Sequence, residues 1–155
     1  MTSQQFTEQD ARQTEKNKET VRAFIDALNR QDIAGLDALL TDDATWTVCA
    51  RDIPGAGTHE KKAVLERILP TMLEIFVPGE PKTVITRLIA EGDMVSAEAV
   101  SHGRLVHGAV YNNQYSHVYQ IRGNRIVSIR EYTDTDYAGK IMAGAIAAGH
   151  TLDLG

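Results

Sequence analysis

Apolar residues in the first third of the chain repeat every three to four positions, which is the spacing of an amphipathic helix. The repeat consists of Val21, Phe24, Ile25 and Leu28. It predicts a first helix that begins near Thr14. The preceding residues 1–13 are polar, and we predict that they form a tail.

Two more helices are predicted in the first half of the chain. Asp32 is placed to cap a short second helix, which should end before residues 41–43. The third helix is predicted over about residues 60–76. Pro70 lies inside it, and because proline has no backbone donor we expect it to kink the helix or divide it.

Strands are predicted where apolar and polar residues alternate. The first strand covers residues 45–50, and a loop rich in Pro and Gly follows over residues 51–58. The second half of the chain contains four more alternating segments, which are residues 82–90, 94–105, 115–122 and 125–134. Gly123 and Asn124 suit a tight turn between the last two strands, since such a turn requires positive φ.

The order of these elements predicts the fold class. Helices gathered in the first half and antiparallel strands in the second indicate an α+β fold, with the helices covering one face of a curved sheet. A doubly wound parallel fold would need a helix after each strand, and the second half has none. Residues 137–148 predict only a weak helix, because Gly139 and Gly144 each cost about 1 kcal/mol relative to Ala.

Composition narrows the class of protein. The 155 residues are enough for one domain. Lys and Arg number 16 against 21 Asp and Glu, and no basic run is present, so we predict no nucleic-acid partner. Apolar stretches are only a few residues long, which predicts a soluble, cytoplasmic protein without a membrane span or signal peptide. Cys49 is the single cysteine, which excludes an internal disulfide.

Several motifs in the second half resemble those of a known family. They are Tyr111-Asn112-Asn113-Gln114-Tyr115, the segment 118–126, and Arg130-Glu131-Tyr132-Thr133-Asp134-Thr135. Together they resemble the end of a SnoaL-like, ketosteroid-isomerase-related protein. The loop at residues 55–58 and the turn at residues 91–95 are similar to features of the same family. The resemblance covers about residues 16–138.

Beside the polar tail over residues 1–13, this resemblance implies a SnoaL-like domain over residues 14–138, followed by a C-terminal extension over residues 139–155 for which we predict a weak helix. The implied fold is the nuclear-transport-factor-2-like cone, in which a curved antiparallel sheet packs against three N-terminal helices and encloses an apolar cavity. Members often pair through the outer sheet face, so we expect a homodimer. They include isomerases, polyketide cyclases, epoxide hydrolases and proteins without catalysis, so the fold does not decide the function.

Glu131 is the first candidate for chemistry. It shares a strand face with Val127 and Ile129, and we predict that all three point to the concave side of the sheet. Burial there would raise the pKa of the carboxyl towards neutrality, as a general acid/base requires. In phenazine-pathway relatives a Glu in the similar motif is implicated in acid/base work. The alternative is an ion pair of Glu131 with Arg122 or Arg130 at a sheet edge.

Tyr132 and Asp134 are candidates because of the resemblance. SnoaL-type cyclases use an Asp just after an aromatic residue near the end of this strand as general base, and these two residues are similar in position. Asp136 competes with Asp134 for that role. The alternative is that residues 134–136 only cap the C-terminal helix.

His117 is a further catalytic candidate. It alternates with Tyr115 and Tyr119, and this row could line a pocket or the outer surface used for dimerisation, with the surface favoured. His102, His107 and His117 do not have the spacing of a metal site, so we predict no metal and no cofactor.

The remaining candidates are proposed to contact the substrate. Trp46, Met72 and Phe76 are bulky enough to line a cavity, although plain core packing is the default for such residues. His59 lies beside the Gly-rich loop and could reach the cavity mouth, and Glu98 could pair with His102 on one strand face. The full set of predicted binding residues is Trp46, His59, Met72, Phe76, Glu98, Tyr119 and Ile129.

Two functions follow from these candidates. The first is a cofactor-independent isomerase or cyclase that removes a proton next to the carbonyl of a hydrophobic, polyketide- or steroid-like metabolite. Glu131 or Asp134 would be the base, and Tyr132, Tyr119 or His117 would donate to the enolate oxygen. The second is a non-catalytic ligand-binding or dimerisation module. A carboxylate in contact with the cavity favours the enzyme. Epoxide hydrolysis is the chemical runner-up and would need an Asp-Arg-Asp group around a water.

Overall fold

The computed structural model describes residues 3–155, and their side chains from residue 7 onward. It begins with α1 (Ser3–Arg30), followed by α2 (Ile33–Leu39). Helix α1 starts well before residue 14, so residues 3–13 are helical where a tail was predicted. Residues 7–13 are exposed but rich in good helix formers, and Glu8 pairs with Arg12 one turn away at 3.3 Å. Asp32 Oδ1 caps α2 as predicted, accepting the Gly35 N–H at 2.9 Å.

The third helical segment changes geometry next to Pro70. It consists of α3 (Lys61–Ala63), a π-helical turn (Val64–Ile68) and α4 (Leu69–Glu74). Pro70 lies in the first turn of α4, where a missing backbone N–H is tolerated. The wider π turn before it gives the proline ring room against the preceding carbonyls. The segment ends at Glu74, and Phe76 forms a β-bridge with Leu105.

One curved, open sheet forms the rest of the domain, so the α+β prediction is confirmed. Its strands are β1 (Leu40–Val48), β2 (Gly57–Glu60), β3 (Lys82–Glu91), β4 (Met94–Arg104), β5 (Val110–Arg122) and β6 (Arg125–Thr133). The spatial order is β2-β1-β6-β5-β4-β3. All neighbours are antiparallel except β1 and β6, which are parallel.

Two strands begin earlier than predicted, and one further strand was not predicted. Strand β1 begins at Leu40 and β5 at Val110, both earlier than the alternating pattern indicates. Strand β2 lies partly in the predicted loop, because four residues are enough to pair with the edge of β1. Gly123 and Asn124 have φ of 57° and 61°, as the predicted tight turn requires.

The concave face of the sheet packs against α1. Phe24 of α1 contacts Tyr119 edge to face, and both belong to the main core cluster with Ile126 and Ile129. A bulge in β6 changes the predicted register: Gln120 pairs with Ser128, but the next residue, Ile121, pairs with Ile126. The extra residue is Val127, so the prediction that it points inward with Ile129 is wrong and Ile126 takes that place.

The chain closes with α5 (Thr135–Ala147), whose first turn is capped by Asp134 Oδ1 through the Tyr137 N–H at 3.0 Å. Gly149 ends it in a left-handed conformation, with φ of 98°. The residues after it return to the sheet, where Leu154 is 3% exposed. Within residues 3–155, no helix is long and apolar enough to cross a membrane.

Candidate functional site

A pocket of about 220 Å³ lies between the concave face of the sheet, the helical segment around Pro70 and α5. Its wall is largely apolar. The apolar side chains include Ile25, Leu28, Val48, Ile53, Val64, Ile68, Leu69, Met72, Leu73, Phe76, Met142 and Leu154. Polar groups converge at the sheet, which is the arrangement typical of small-molecule sites.

Glu131 brings a carboxylate into this apolar wall. Its Oε2 accepts the Trp46 Nε1–H at 2.9 Å and lies 3.5 Å from His117 Nε2. The side chain is 16% exposed, and Oε1 has no hydrogen-bond partner among the described residues. One oxygen is therefore held by the protein, and the other has no such bond within the described residues.

Strand pairing brings these three residues together. Glu131 is directly opposite His117 in the β5–β6 pair, and Trp46 is opposite Ile129 in the β1–β6 pair. Because side chains alternate along a strand, Glu131 and Ile129 point to the same side as both partners. Three adjacent strands thus fix the carboxylate, which limits its freedom more than a loop would.

The His117 ring is surrounded by the aromatic rings of Trp46, Tyr115 and Tyr119. It stacks on Tyr115 at 5.2 Å between ring centroids, and its side chain is 7% exposed. Its Nδ1 is buried without a hydrogen-bond partner. This arrangement fits the tautomer with the proton on Nε2, since that proton then points at Glu131 and the unpartnered Nδ1 is only an acceptor.

Two tyrosine hydroxyls form a second polar group in the pocket. Tyr111 and Tyr115 are hydrogen-bonded to each other through their hydroxyls, and Asn113 Nδ2 donates to the Tyr111 hydroxyl at 3.2 Å. Burial raises the pKa of Tyr111 and raises that of Tyr115 well above its usual value, and the Glu131 charge adds to both shifts. Both hydroxyls therefore keep their protons over the physiological range.

Six of the predicted site residues line the pocket. They are Trp46, His59, Met72, Phe76, His117 and Glu131. The row that contains His117 faces inward, so the expectation that it lies on the outer surface is wrong. Small residues on β4 provide the reason: Ala97 lies opposite His117 and Ala99 opposite Tyr115, which leaves room for the rings on the concave side.

Tyr119 and Ile129 belong to the buried core and are absent from the pocket wall. Burial raises the pKa of Tyr119, and the ring packs on Phe24. A side chain enclosed in this way does not reach a ligand without displacing its neighbours.

The other predicted site residues lie outside the pocket. Glu98 is exposed and pairs with Arg87 at 3.3 Å, and His102 bonds Asn112, so the expected Glu98–His102 pair does not form. Tyr132 is 43% exposed and accepts from the Arg130 guanidinium. These positions follow from strand alternation, which sends every second residue to the outer face.

Asp134 and Asp136 stabilise the first turn of α5. Asp134 is its N-cap, and Asp136 pairs with Lys140 one turn later at 2.6 Å. Neither lines the pocket. The structure therefore brings Glu131, and neither of these aspartates, to the cavity.

Tyr111 and Leu154 line the pocket but were not predicted from the sequence, and Tyr115 was predicted only as part of a row for which the outer surface was favoured. Both tyrosines could have been predicted from the alternation of side chains along β5, because they lie an even number of residues from His117 and therefore on the same strand face. Leu154 gives no such signal, since only the path of the chain after α5 brings it to the pocket. No group of three or more His, Cys, Asp or Glu side chains is arranged for a metal within the described part of the chain.

Comparison with known proteins is consistent with this geometry. The sequence model of the SnoaL-like domain matches residues 21–129. A comparison with curated proteins returned no match.

Solved structures agree on the fold. An NTF2-like protein of unknown function from Burkholderia pseudomallei has 22% identity and a TM-score of 0.69, covering 81% of this chain and 96% of its own. IdmH from Streptomyces antibioticus, described as a proposed polyketide cyclase, has 18% identity and a TM-score of 0.67, covering 82% and 98%. TerC, crystallised with polyporic acid, has 17% identity and a TM-score of 0.69, covering 83% and 98%.

At these identities the structural likeness shows the NTF2-like fold and nothing further. The match to the SnoaL-like sequence model identifies the family as well, because it extends over more than half of the sequence. The chain therefore belongs to the SnoaL-like domain family.

Proposed function

We propose that this protein is a cofactor-independent acid/base catalyst, an isomerase or cyclase, which moves a proton on a hydrophobic carbonyl compound. The observation that carries the proposal is the Glu131 carboxylate in an apolar pocket, with Oε2 bonded to Trp46 and Oε1 without a hydrogen-bond partner among the side chains and backbone that the structure describes. A carboxylate held in this way is positioned to exchange a proton with a bound ligand.

The proposed step is a proton transfer at the carbon next to the carbonyl. The ionised Glu131 takes the proton on Oε1, and the electron pair of the broken C–H bond passes to the carbonyl oxygen to give an enolate. Return of the proton from Oε1 to a different atom of the ligand completes an isomerisation. In a cyclisation the enolate carbon attacks a second carbonyl of the same molecule, and the alkoxide that forms there takes the proton back from Oε1, which restores the carboxylate. No electrons are gained or lost overall.

The tyrosine pair supplies the donor that the enolate oxygen needs. Two hydroxyls share one mutual bond, so one hydroxyl hydrogen remains whichever of Tyr111 and Tyr115 is the donor. Because burial raises the pKa of both tyrosines, that hydrogen is retained at neutral pH. A neutral donor inside an apolar pocket stabilises developing negative charge more than water does.

The size of the pocket indicates the ligand class. An apolar cavity of about 150 Å³ accepts benzene. The 220 Å³ here therefore suits a ligand with one or two rings. Two neighbours are compatible with this class, since IdmH is a proposed polyketide cyclase and TerC was crystallised with polyporic acid.

The test uses 2-tetralone, a two-ring ketone with acidic hydrogens next to its carbonyl. Loss of those hydrogens to D₂O is followed by NMR with the wild type, Glu131→Gln and Glu98→Gln. We expect the wild type to accelerate exchange and Glu131→Gln to lower the rate by about 10²- to 10⁴-fold. Glu98→Gln is the matched control, because the same change on the outer face should leave the rate unchanged.

Thermal melting separates this effect from unfolding. Equal exchange rates for the wild type and a folded Glu131→Gln variant would remove Glu131 from the role of base. A large loss of stability in that variant without a kinetic effect would assign Glu131 a structural role instead.

A second candidate function is a non-catalytic binding module. The apolar wall favours it as much as it favours the enzyme, and only the free Glu131 oxygen distinguishes the two. Binding of 2-tetralone by the wild type without any acceleration of exchange would support the module. Epoxide hydrolysis is not supported, since the pocket wall formed by the described residues contains neither Asp nor Arg.

A further inference from the structure

We propose that residues 149–155, named here the strap, close the mouth of the pocket and that Leu154 sets the upper size of its ligand. This inference rests on the pocket being a ligand site, as in the proposed function, and does not depend on catalysis. The strap lies beyond the family match, which ends at residue 129.

Leu154 is the central observation. It is 3% exposed and lines the pocket, although it lies in a segment without helix or strand. Gly55, which also lines the pocket, packs against it: a Cβ added at Gly55 would lie 3.4 Å from Leu154 Cβ. An apolar side chain buried in this way from an irregular segment fills space that a ligand would otherwise occupy.

The strap begins at a defined turn. The Gly149 N–H donates to the Ile146 carbonyl at 2.9 Å and the His150 N–H to the Ala145 carbonyl at 3.1 Å, which end α5 and reverse the chain. Gly149 has φ of 98°, a conformation that favours glycine. The direction of the strap is thus set by the end of the helix.

Two contacts hold the far end of the strap. Arg67 Nη1 donates to Asp153 Oδ1 at 2.8 Å, which joins the strap to the π-helical turn. A Cβ at Gly155 would lie 3.1 Å from His59 Cε1, so the strap packs closely on that ring. His59 is itself bonded through Nε2 to the Gly55 carbonyl at 2.8 Å.

These contacts differ in strength along the strap. The Arg67–Asp153 pair is exposed on both sides, and exposed pairs contribute little to stability and weaken with salt. The strap is held by Leu154, by Leu152, which packs on the cluster that contains Phe76 and Tyr111, by the contact of Gly155 with His59 and by this weak ion pair. Because residues 151–155 belong to no helix or strand, the strap suits a segment that opens to admit a ligand and closes over it. The space left when Leu154 is in place decides which ligands fit.

A ligand-independent test uses Trp46, the single tryptophan of the chain, which lines the pocket. Quenching of its fluorescence by acrylamide measures access through the mouth. We expect quenching to increase in Leu154→Ala and to increase further in a variant lacking residues 149–155. Ile146→Ala is the matched control, since Ile146 is exposed on α5 outside the pocket. Unchanged quenching in the deletion variant, with unchanged circular dichroism, would overturn the strap as a closure.

The size limit is tested with two ketones, 2-tetralone and the four-ring androstenedione, by titration against Trp46 fluorescence. Leu154→Ala should improve the affinity for androstenedione relative to that for 2-tetralone by about tenfold, because a pocket discriminates by that order for a small change in volume. An unchanged ratio would overturn the role of Leu154 in selection. Failure of the proposed acid/base function would give a different result. In that case the affinity ratio of the two ketones would still shift in Leu154→Ala, but neither the wild type nor Leu154→Ala would accelerate hydrogen exchange of 2-tetralone.

Discussion

The Trp46 indole donates its Nε1 hydrogen to Glu131 Oε2 at 2.9 Å, across the parallel pair of β1 and β6. Strands β1 and β6 can run parallel because a long connection, containing the third helical segment and four other strands, lies between them. The contact therefore joins residues that are 85 positions apart in the sequence. It fixes which carboxylate oxygen is engaged by the protein.

Trp46→Phe keeps an aromatic ring but removes this donor. We expect the free energy of unfolding to fall by about 1.5–3 kcal/mol, the range for a hydrogen bond to a charged group. Urea unfolding followed by circular dichroism measures it. In a double-mutant cycle with Glu131→Ala, which removes the acceptor, the two changes should be non-additive, and simple additivity would show that the bond contributes nothing.

His117 is expected to position Glu131, and its replacement should affect rate more than binding. Gln offers an amide N–H near the place of Nε2, whereas Phe offers none. We expect exchange of 2-tetralone hydrogens to fall about tenfold in His117→Phe and less in His117→Gln, with similar affinities for the ketone. Equal rates in the two variants would argue against a hydrogen-bonding role for this ring.

The inward position of Glu131 could be predicted from the sequence, because alternation along a strand depends only on neighbouring residues. Glu131 shares its face with Ile129 whatever the rest of the molecule does. The bulge at Val127 was not predictable, because it depends on how β6 pairs with β5 and no residue type marks it.

The inward direction of His117 needed tertiary information. Both faces of β5 are plausible from its own sequence, since one carries rings and the other Ser, Val and Gln. Strand β4 determines which face points inward, because Ala97 and Ala99 leave space opposite the rings. That clue is readable only once the register between the two strands is known.

A homodimer through the outer face of the sheet remains a prediction. The family resemblance suggested it, and the His117 row that was expected on this face points inward. The argument from the residues now rests on Val84 and Ile89, which are 55% and 62% exposed on β3. Exposed apolar residues on a sheet face favour association. Light scattering at micromolar concentration should return twice the chain mass of 17.0 kDa.

Charge placed on that face should break the dimer. Val84→Glu and Ile89→Glu should return the mass of a single chain, because a buried unpaired carboxylate is costly at an interface. Val106→Glu is the control, since Val106 is also exposed but follows the end of β4. A single-chain mass for the wild type would contradict the prediction directly.

The tyrosine pair predicts how stability depends on alkaline pH. Burial raises the pKa of Tyr111 and of Tyr115 in the folded protein, whereas the unfolded chain releases these protons near the ordinary value of about 10. The folded state then binds more protons than the unfolded state above that pH. Their contribution is therefore complete below pH 10 and is lost as pH rises through the folded pKa values.

We expect the free energy of unfolding to fall above about pH 10, by up to about 1.4 kcal/mol per pH unit for each tyrosine involved. The measurement is urea unfolding between about pH 8 and pH 11 for the wild type and Tyr111→Phe. Lys and Arg titrate alike in both proteins, so the difference isolates the tyrosine. The fall should be shallower in Tyr111→Phe, because that variant has no phenol at this position to deprotonate on unfolding. Parallel curves would mean that Tyr111 titrates equally in the folded and unfolded states, which the burial of its hydroxyl beside Tyr115 and Asn113 does not allow.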